Sequence, residues 1–557
     1  MASLSQSIRH KFLNTFFSRY SIWFLSIFIL VAIFWLRLNY DTHYIYYFIS
    51  EKLLNVLWLI SALLSLLGLY DILQNKHSIL KNYPIMGHFR FLFEDFRPEI
   101  RQYFIEADQD ALPFSRMQRS LVYQRAKNES SDKPFGSIVD VYQDDYRFLM
   151  HSMTPSKLAD PATFRITIGN EQCSQPYNAS IMNISAMSFG SLSANAILAL
   201  NKGAKLGNFY HDTGEGSISP YHLEYGGDIV WEIASGYFGC RTSEGKFDPE
   251  KFAEQAKLPQ VKMIEIKLSQ GAKPGHGGIL PKDKISAEIA KIRGVSQDED
   301  CISPSNHSAF HTPLEFMSFI QQLRELSLGK PVGFKLCLGQ PWQFMGIVKA
   351  MLDTQIYPDF IVVDGSEGGT GAAPVELIDN VGTPLREGLH FIHNTLVGAG
   401  IRDKIKIGAS GKIVSAFDIS STMAIGADWI NSARGFMFAI GCIQAQSCQT
   451  NQCPVGVATQ DKERQKALHV PTKAERVYHF HKNTLHALAE MLAAAGLEHP
   501  QDIKAHHLAQ RINDREIKNY AQLHFFLTEG ELLSYDPEQP QDNFYYRMWQ
   551  LASAQHF

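Results

Sequence analysis

The chain has 557 residues, 45% of them apolar, which is room for more than one folding unit at the usual ~100–200 residues per domain. Fifty-two basic against 56 acidic side chains give a formal net charge of −4, without the basic excess that tracks phosphate backbones, so no nucleic-acid partner is expected. Seven cysteines, three of them bunched, argue for reduced thiols facing the cytoplasm over a secreted disulfide framework. Residues 20–36 (YSIWFLSIFILVAIFWL) and 53–70 (LLNVLWLISALLSLLGLY) hold no charge, and each is long enough to cross a bilayer core. No small-residue cleavage site follows the first and a second apolar run does, which favours a two-helix hairpin over a signal peptide. Arg9, Lys11 and Arg19 precede the hairpin and Lys76 and Lys81 follow it, whereas the intervening loop has only Arg37 and Lys52 at its edges. The positive-inside rule then puts both ends in the cytoplasm.

Residues 77–170 are mixed in composition, with Pro84, Pro98, Pro113 and Pro134 interrupting long helices. Within them HFRFLFEDFRPEIRQYF (88–104) predicts a buried amphipathic helix, although its aromatic and basic residues would also suit lipid headgroups. From residue 180 short β-rich apolar runs alternate with helical patterns: 180–186, 206–212, 228–234, 261–267, 331–337, 359–365, 404–410 and 428–433. Eight such runs with helix-length connections predict a parallel (β/α)8 barrel, in which chemistry gathers at the carboxyl ends of the strands. Residues 476–496 (RVYHFHKNTLHALAEMLAAAG) read as a helix ending at Gly496, with His479, His481 and His486 as surface histidines because no acid or cysteine completes a ligand set. The organisation expected is a membrane anchor over 1–76, a linker that packs on the barrel over 77–170, the barrel over 171–495 and a tail over 496–557.

The stretch 441–460, GCIQAQSCQTNQCPVGVATQ, sets Cys442, Cys448 and Cys453 in a C-x5-C-x4-C pattern, with Pro454 stopping any helix. Three thiolates suit an iron–sulfur cluster lacking one iron better than structural zinc, which usually takes four protein ligands. Lys335 lies inside an otherwise apolar strand and so needs an anionic partner, either a bound ligand or a core carboxylate such as Glu265. The glycines of 367–371, including Gly368 and Gly369, permit close backbone approach to a ligand. No Rossmann-type glycine fingerprint follows a strand, so electrons are expected to arrive from a partner protein.

The run GC-x5-C-x4-CPVGVATQ resembles the cluster-binding segment of the synthase domain of glutamate synthases. The resemblance extends through SAMSFGSLS (185–193), DTGEG (212–216), QGAKPGHGG (270–278), ISP (302–304), GFKL (333–336) and EGGTGAAP (367–374). It implies a flavin and iron–sulfur oxidoreductase acting on CH–NH2 donors, carrying FMN and a 3Fe-4S cluster on Cys442, Cys448 and Cys453. On this resemblance Ser188 lies against the flavin ring, and Lys335 stabilises the charge of the reduced flavin. The loops after strands seven and eight, with Ser410, Gly411, Arg434 and Gly435, are where a barrel holds a cofactor phosphate; the family more often has an acid and glycines at the first of them. Lys273 and Arg293 match positions that contact 2-oxoglutarate, and Glu215 matches an acid near the active site. Two departures alter the pocket: His276 stands where the family typically has an acid, and Ile279 where it has a glutamine facing substrate.

The reading is a glutamate synthase-like enzyme tethered to the cytoplasmic membrane that reductively aminates 2-oxoglutarate or a related 2-oxo acid. No glutaminase-like region is present, so ammonia would come free or from another subunit, and electrons from a donor such as ferredoxin or a reductase subunit. The alternatives are a flavin oxidoreductase on another amino or oxo acid, and a membrane electron-transfer module without its own substrate.

Overall fold

The computed structural model describes residues 20–39, 50–110, 112–534 and 543–557. Arg9, Lys11 and Arg19 lie outside the described residues. Backbone contacts divide the chain into two compact units, residues 1–110 and 111–557.

In the first unit α1 (Ser21–Asn39) and α2 (Glu51–Leu73) pack on each other and are long and apolar enough to cross a membrane. Their contact uses small residues and buried polar groups. The Trp23 indole donates to the Ser65 carbonyl at 2.9 Å, and the Ser26 and Ser65 hydroxyls meet at 3.1 Å. A Cβ on Gly68 would stand 2.1 Å from the Trp23 ring, so only glycine lets the helices approach this closely. Ser50 caps α2, its hydroxyl accepting from Leu53 N. The aromatic segment that follows forms α3 (Met86–Ile100), with Pro98 accommodated in its last turn. Contrary to the expected burial, Phe89, Leu92, Phe93, Phe96 and Ile100 are all exposed.

The second unit is built on a closed barrel of eight parallel strands: β1 (Met182–Ile184), β2 (His211–Asp212), β3 (Ile229–Ile233), β4 (Val261–Lys267), β5 (Val332–Leu336), β6 (Phe360–Asp364), β7 (Lys406–Ser410) and β8 (Trp429–Ser432). They follow one another around the barrel in chain order, and Ile430 pairs with Met182 to close it. Every one of the eight apolar runs supplies one strand. In the second run only the last two residues pair, because Leu206 and Gly207 finish the preceding helix, α5 (Ala194–Gly207). These strands are buried on both faces, and so they read as continuous apolar runs without alternation.

Around the barrel, α4 (Arg116–Lys127) starts in a Ser115–Gln118 capping box and packs on α7 (Val470–Ala495). On α7, His481 is not a surface residue: it is buried, stacked on Phe209 at 4.0 Å and hydrogen-bonded to Ser180 Oγ at 2.9 Å. Described residues after 496 form regular elements as well. Leu508–Arg511 pairs with Arg147–Leu149 and with Ile517–Asn519, and a short helix spans Phe544–Leu551.

The amino ends of the strands are latched by aspartates, Asp359 buried and Asp428 half-buried. Asp359, just before β6, accepts from the backbone of Val332 at 2.8 Å and Asn170 at 2.9 Å, and pairs with the buried Arg324 at 3.1 Å. Asp428, just before β8, accepts from Ile407 N and from Arg402. Removing one partner of such a pair strands a buried charge, at a cost of about 3–5 kcal/mol. Arg324→Met should therefore lower Tm strongly, and adding Asp359→Asn should recover part of the loss; calorimetry of the two variants checks both.

Candidate active site

The carboxyl ends of the strands open into two neighbouring cavities, of about 610 and about 140 Å³, which share a wall that includes Gly369, Thr370, Ser410, Arg434 and Cys448. The smaller lies over the barrel axis. Five consecutive strands send charged side chains to this region: Asp212 from β2, Glu232 from β3, Glu265 and, at the rim, Lys267 from β4, Lys335 from β5 and Asp364 from β6. Lys335 is buried in ion-paired contact with Glu232, and Glu265 lies 3.3 Å away. The predicted partner Glu265 is therefore present, yet Lys335 also lines the cavity and remains available to a ligand there.

One ammonium cannot balance four carboxylates, of which Asp212, Glu232 and Glu265 are buried and Asp364 is half-buried. Burial alone would lower the Lys335 pKa, but Glu232, Glu265, Asp212 and Asp364 together hold it well above its usual value. Burial and the neighbouring acids push Glu265 well up, and burial with Glu232 raises Asp212 to about 7. The site therefore keeps protons on part of its carboxylate set near neutrality. Asp364 accepts from Gly271 N at 2.7 Å, tying the loop after β4 to β6.

The second charged group lies at the rim. Glu215, in the loop after β2, pairs with Lys267 at 2.9 Å. Burial would raise its pKa, but Lys267, Lys273 and Arg293 bring it down to about 2. The approach of Gly278 allows this pair to form: a Cβ there would fall 1.8 Å from Glu215 Oε1. Lys273 is buried on the cavity wall, donates to Ala372 O at 3.2 Å, and has its pKa lowered by burial. Arg293 is placed differently from Lys273. It stands behind the wall, donating to Phe189 O at 3.1 Å and Ser188 Oγ at 3.4 Å, with its guanidinium over the Phe238 ring at 5.2 Å. It thus acts on the wall through Ser188, which does line the cavity. Of the two departures, Ile279 lines the cavity, while His276 turns aside to the Gly277 carbonyl at 2.8 Å.

The larger cavity is bounded by Gly368, Gly369, Ser410, Gly411, Arg434, Gly435 and the three loop cysteines. Arg434, at the start of α6 (Arg434–Ala439), donates to the Thr370 carbonyl and so fixes the glycine-rich loop after β6 across the cavity. A flat, phosphate-bearing cofactor suits this region, where glycines let the backbone approach and Arg434 with the start of α6 offers positive charge.

The cysteine loop is framed by neighbours in both directions along the chain. Tyr123 Oη donates to Cys442 O at 2.6 Å and Gln444 donates to Phe114 O at 3.1 Å. Lys284, buried between the two cavities, donates to Ser191 O at 2.7 Å and Cys448 O at 3.2 Å. Gln460 donates to the carbonyls of Gly190 and Leu192. Burial raises the Cys442 thiol to about 11. Among the described residues the only metal-ligating group packed within 4.8 Å is Asp212, Glu232 and Glu265. Cys442, Cys448 and Cys453 share one wall of the larger cavity.

Lys267, Glu232, Asp364 and Lys284 were not marked by the sequence reading. The first three end or nearly end an apolar strand, which on a barrel is the position of chemistry. Lys284 sits in a polar loop and had no signal.

The folded chain keeps a proton on Asp212 up to about pH 7, whereas an unfolded aspartate releases it near ~3.9. The stability this group supplies is complete below pH ~4 and is lost as pH rises to about 7. Asp212→Asn, which retains an acceptor for Gly214 N at 2.9 Å, should therefore flatten the fall in Tm between pH 5 and 7.

A family model described as the conserved region in glutamate synthase matches residues 127–498. The glutamate synthase large subunit-like protein YerD of Bacillus subtilis is 37% identical over 486 residues, 80% of this chain and 92% of that protein. The archaeal glutamate synthase [NADPH] of Methanocaldococcus jannaschii is 33% identical over 339 residues, and the match spans 60% of this chain and 63% of that protein. Among solved structures, a flavocytochrome b2 mutant with pyruvate bound is 14% identical, covers 81% of this chain and 92% of its own, and has a TM-score of 0.41. The matched region of the family model holds the whole barrel, the smaller cavity and the cysteine loop, and on that footing the chain belongs to the glutamate synthase family of oxidoreductases.

Proposed function

We propose that this chain is an FMN- and iron–sulfur-dependent enzyme that reductively aminates 2-oxoglutarate or a related 2-oxo acid, with α1 and α2 holding it in the cytoplasmic membrane. The observation that carries the reading is the continuity of the two cavities: a charged floor at Lys335, a cationic rim at Lys267 and Lys273, and a wall of three thiols. The net reaction joins a 2-oxo acid, ammonia, two electrons and two protons to give an amino acid and water.

FMN seated over Lys335 would supply hydride chemistry, and a 3Fe-4S cluster on Cys442, Cys448 and Cys453 would supply single electrons from a donor protein such as ferredoxin or a reductase subunit. The chain's own groups do the rest. Lys335 offsets negative charge that accumulates above it. Lys267 and Lys273 face a substrate carboxylate, with Glu215 fixing the orientation of Lys267. Arg293 positions Ser188. Ammonia enters free or from another subunit.

Ile279 supports a second reading, a related oxo acid as substrate, because an apolar side chain on the cavity wall offers no hydrogen bond to a distal carboxylate. Turnover of purified protein with a reduced donor, ammonia and a panel of 2-oxo acids separates the readings. No turnover with any of them would leave an electron-transfer role.

Lys335→Met should lower the midpoint potential of the bound flavin by about 30–60 mV, a tenfold to hundredfold change for a two-electron couple, with a smaller effect on flavin binding. Combining it with Glu232→Gln restores the local charge balance and keeps the fold available for the measurement. Replacing Cys442, Cys448 or Cys453 by serine should abolish the low-temperature spin signal and turnover with a one-electron donor. FMN should stay bound, and chemical reduction of the flavin should persist; zinc in anaerobically prepared protein would refute the assignment.

A further inference from the structure

At 3.6 residues per turn, Phe89, Leu92, Phe93, Phe96 and Ile100 fall within about 100° of arc on α3. Their exposures are 50, 46, 64, 54 and 40%. Five large apolar side chains at helical spacing are normally the buried face of a helix, and a contiguous exposed stripe of this kind marks an interaction surface. One flank and the far face of α3 already have partners. His88 Nε2 lies 3.0 Å from Asp71, and the Phe91 ring meets His77 edge-on at 5.8 Å. The stripe therefore points away from α2 and from the segment that joins the two helices.

The same contacts set the height of the helix. Asp71 is fully buried in the last turn of α2, and its carboxylate also accepts from Ile85 N at 2.9 Å, at the very start of α3. From Glu51 to Asp71 the helix rises about 30 Å at 1.5 Å per residue, the thickness of a bilayer hydrocarbon core. When α2 spans, Asp71 marks the boundary between hydrocarbon and headgroups, and α3 starts at that level. Arg90, Arg97 and Arg101 lie along one border of the stripe, positioned for lipid phosphates. Arg90 and Arg101 are tempered by Glu94 at 3.8 Å and Glu106 at 3.0 Å, and Asp95 and Glu99 lie on the other side, so the apolar stripe dominates the attraction.

We propose that α3 is an in-plane membrane helix, its Phe89–Leu92–Phe93–Phe96–Ile100 stripe inserted at the lipid–water boundary of a phospholipid bilayer. This rests on the reading of α1 and α2 as spans. An interfacial helix pinned to the exit of a span restricts how the chain leaves the membrane, a constraint that a flexible tether does not provide.

The test uses the full chain in nanodiscs of phosphatidylcholine and phosphatidylglycerol brominated at either shallow or deep acyl positions. Phe93→Trp adds one tryptophan on the stripe, read as the difference from wild type. The added emission should be quenched at least twofold more by shallow than by deep bromine. Trp58→Phe, in the middle of α2, should remove a component quenched by deep bromine. If the added tryptophan is unquenched and shielded from acrylamide, the stripe is covered by protein, either the barrel unit or a partner, and the proposal is wrong. An unquenched tryptophan that acrylamide reaches is bare in water, which also overturns it. Loss of deep quenching at Trp58 would instead sink the spanning reading itself, so the two failures are distinguishable.

Discussion

A single ammonium among four carboxylates, three of them buried, is the constraint on which the centre of this molecule depends. Asp212, Glu232, Glu265, Lys335 and Asp364 come from five consecutive strands, so the cluster forms only when all five are in register. A slip of one residue in any of them would point its charge outward and leave the others without balance. Such a network is a poor source of stability, since desolvating five ionisable groups costs more than their attractions return unless protons are shared. Its persistence on the floor of the cavity is better understood as a field held ready for a ligand than as a structural brace.

The barrel separates stability from chemistry along its axis. At the amino ends, Asp359 and Asp428 spend their oxygens on backbone N–H groups and arginines, Arg324 buried and Arg402 half-buried. At the carboxyl ends, Lys267, Lys273 and Glu215 keep charge on a cavity wall, and glycines stand where side chains would close it. Substitutions at the two ends should therefore fail in different ways, the first by unfolding and the second by losing ligands.

The barrel was legible in the sequence because doubly buried parallel strands are apolar throughout, and eight such runs at helix-length intervals leave few other closures. Lys335 was legible because a lone ammonium inside an apolar run demands an anion. Glu232 holds the same fourth place in its own strand and Lys267 ends its strand, and both escaped notice because only the neighbouring elements reveal what they meet. Arg293 shows the opposite limit: its motif marks the site, but the motif carries no depth, and the side chain ends behind Ser188 rather than in the cavity. His481 was misread because α7 looks polar in that turn; the ring that buries it, Phe209, comes from a distant part of the chain. On α3 the periodicity was read correctly but burial does not follow from periodicity, and its stripe faces outward.

The hydrogen bond from Tyr123 to Cys442 joins positions 319 residues apart, and the one from Gln444 to Phe114 reaches across 330. Between them lies nearly the whole barrel. A ribosome must therefore release most of the chain before the thiol loop can take its final shape, long after the two apolar helices have emerged. Any group bound at the three sulfurs would be loaded late, onto a protein whose amino-terminal helices have already had time to find their place. Maturation of this chain is ordered in time by the distance between two of its hydrogen-bonded residues.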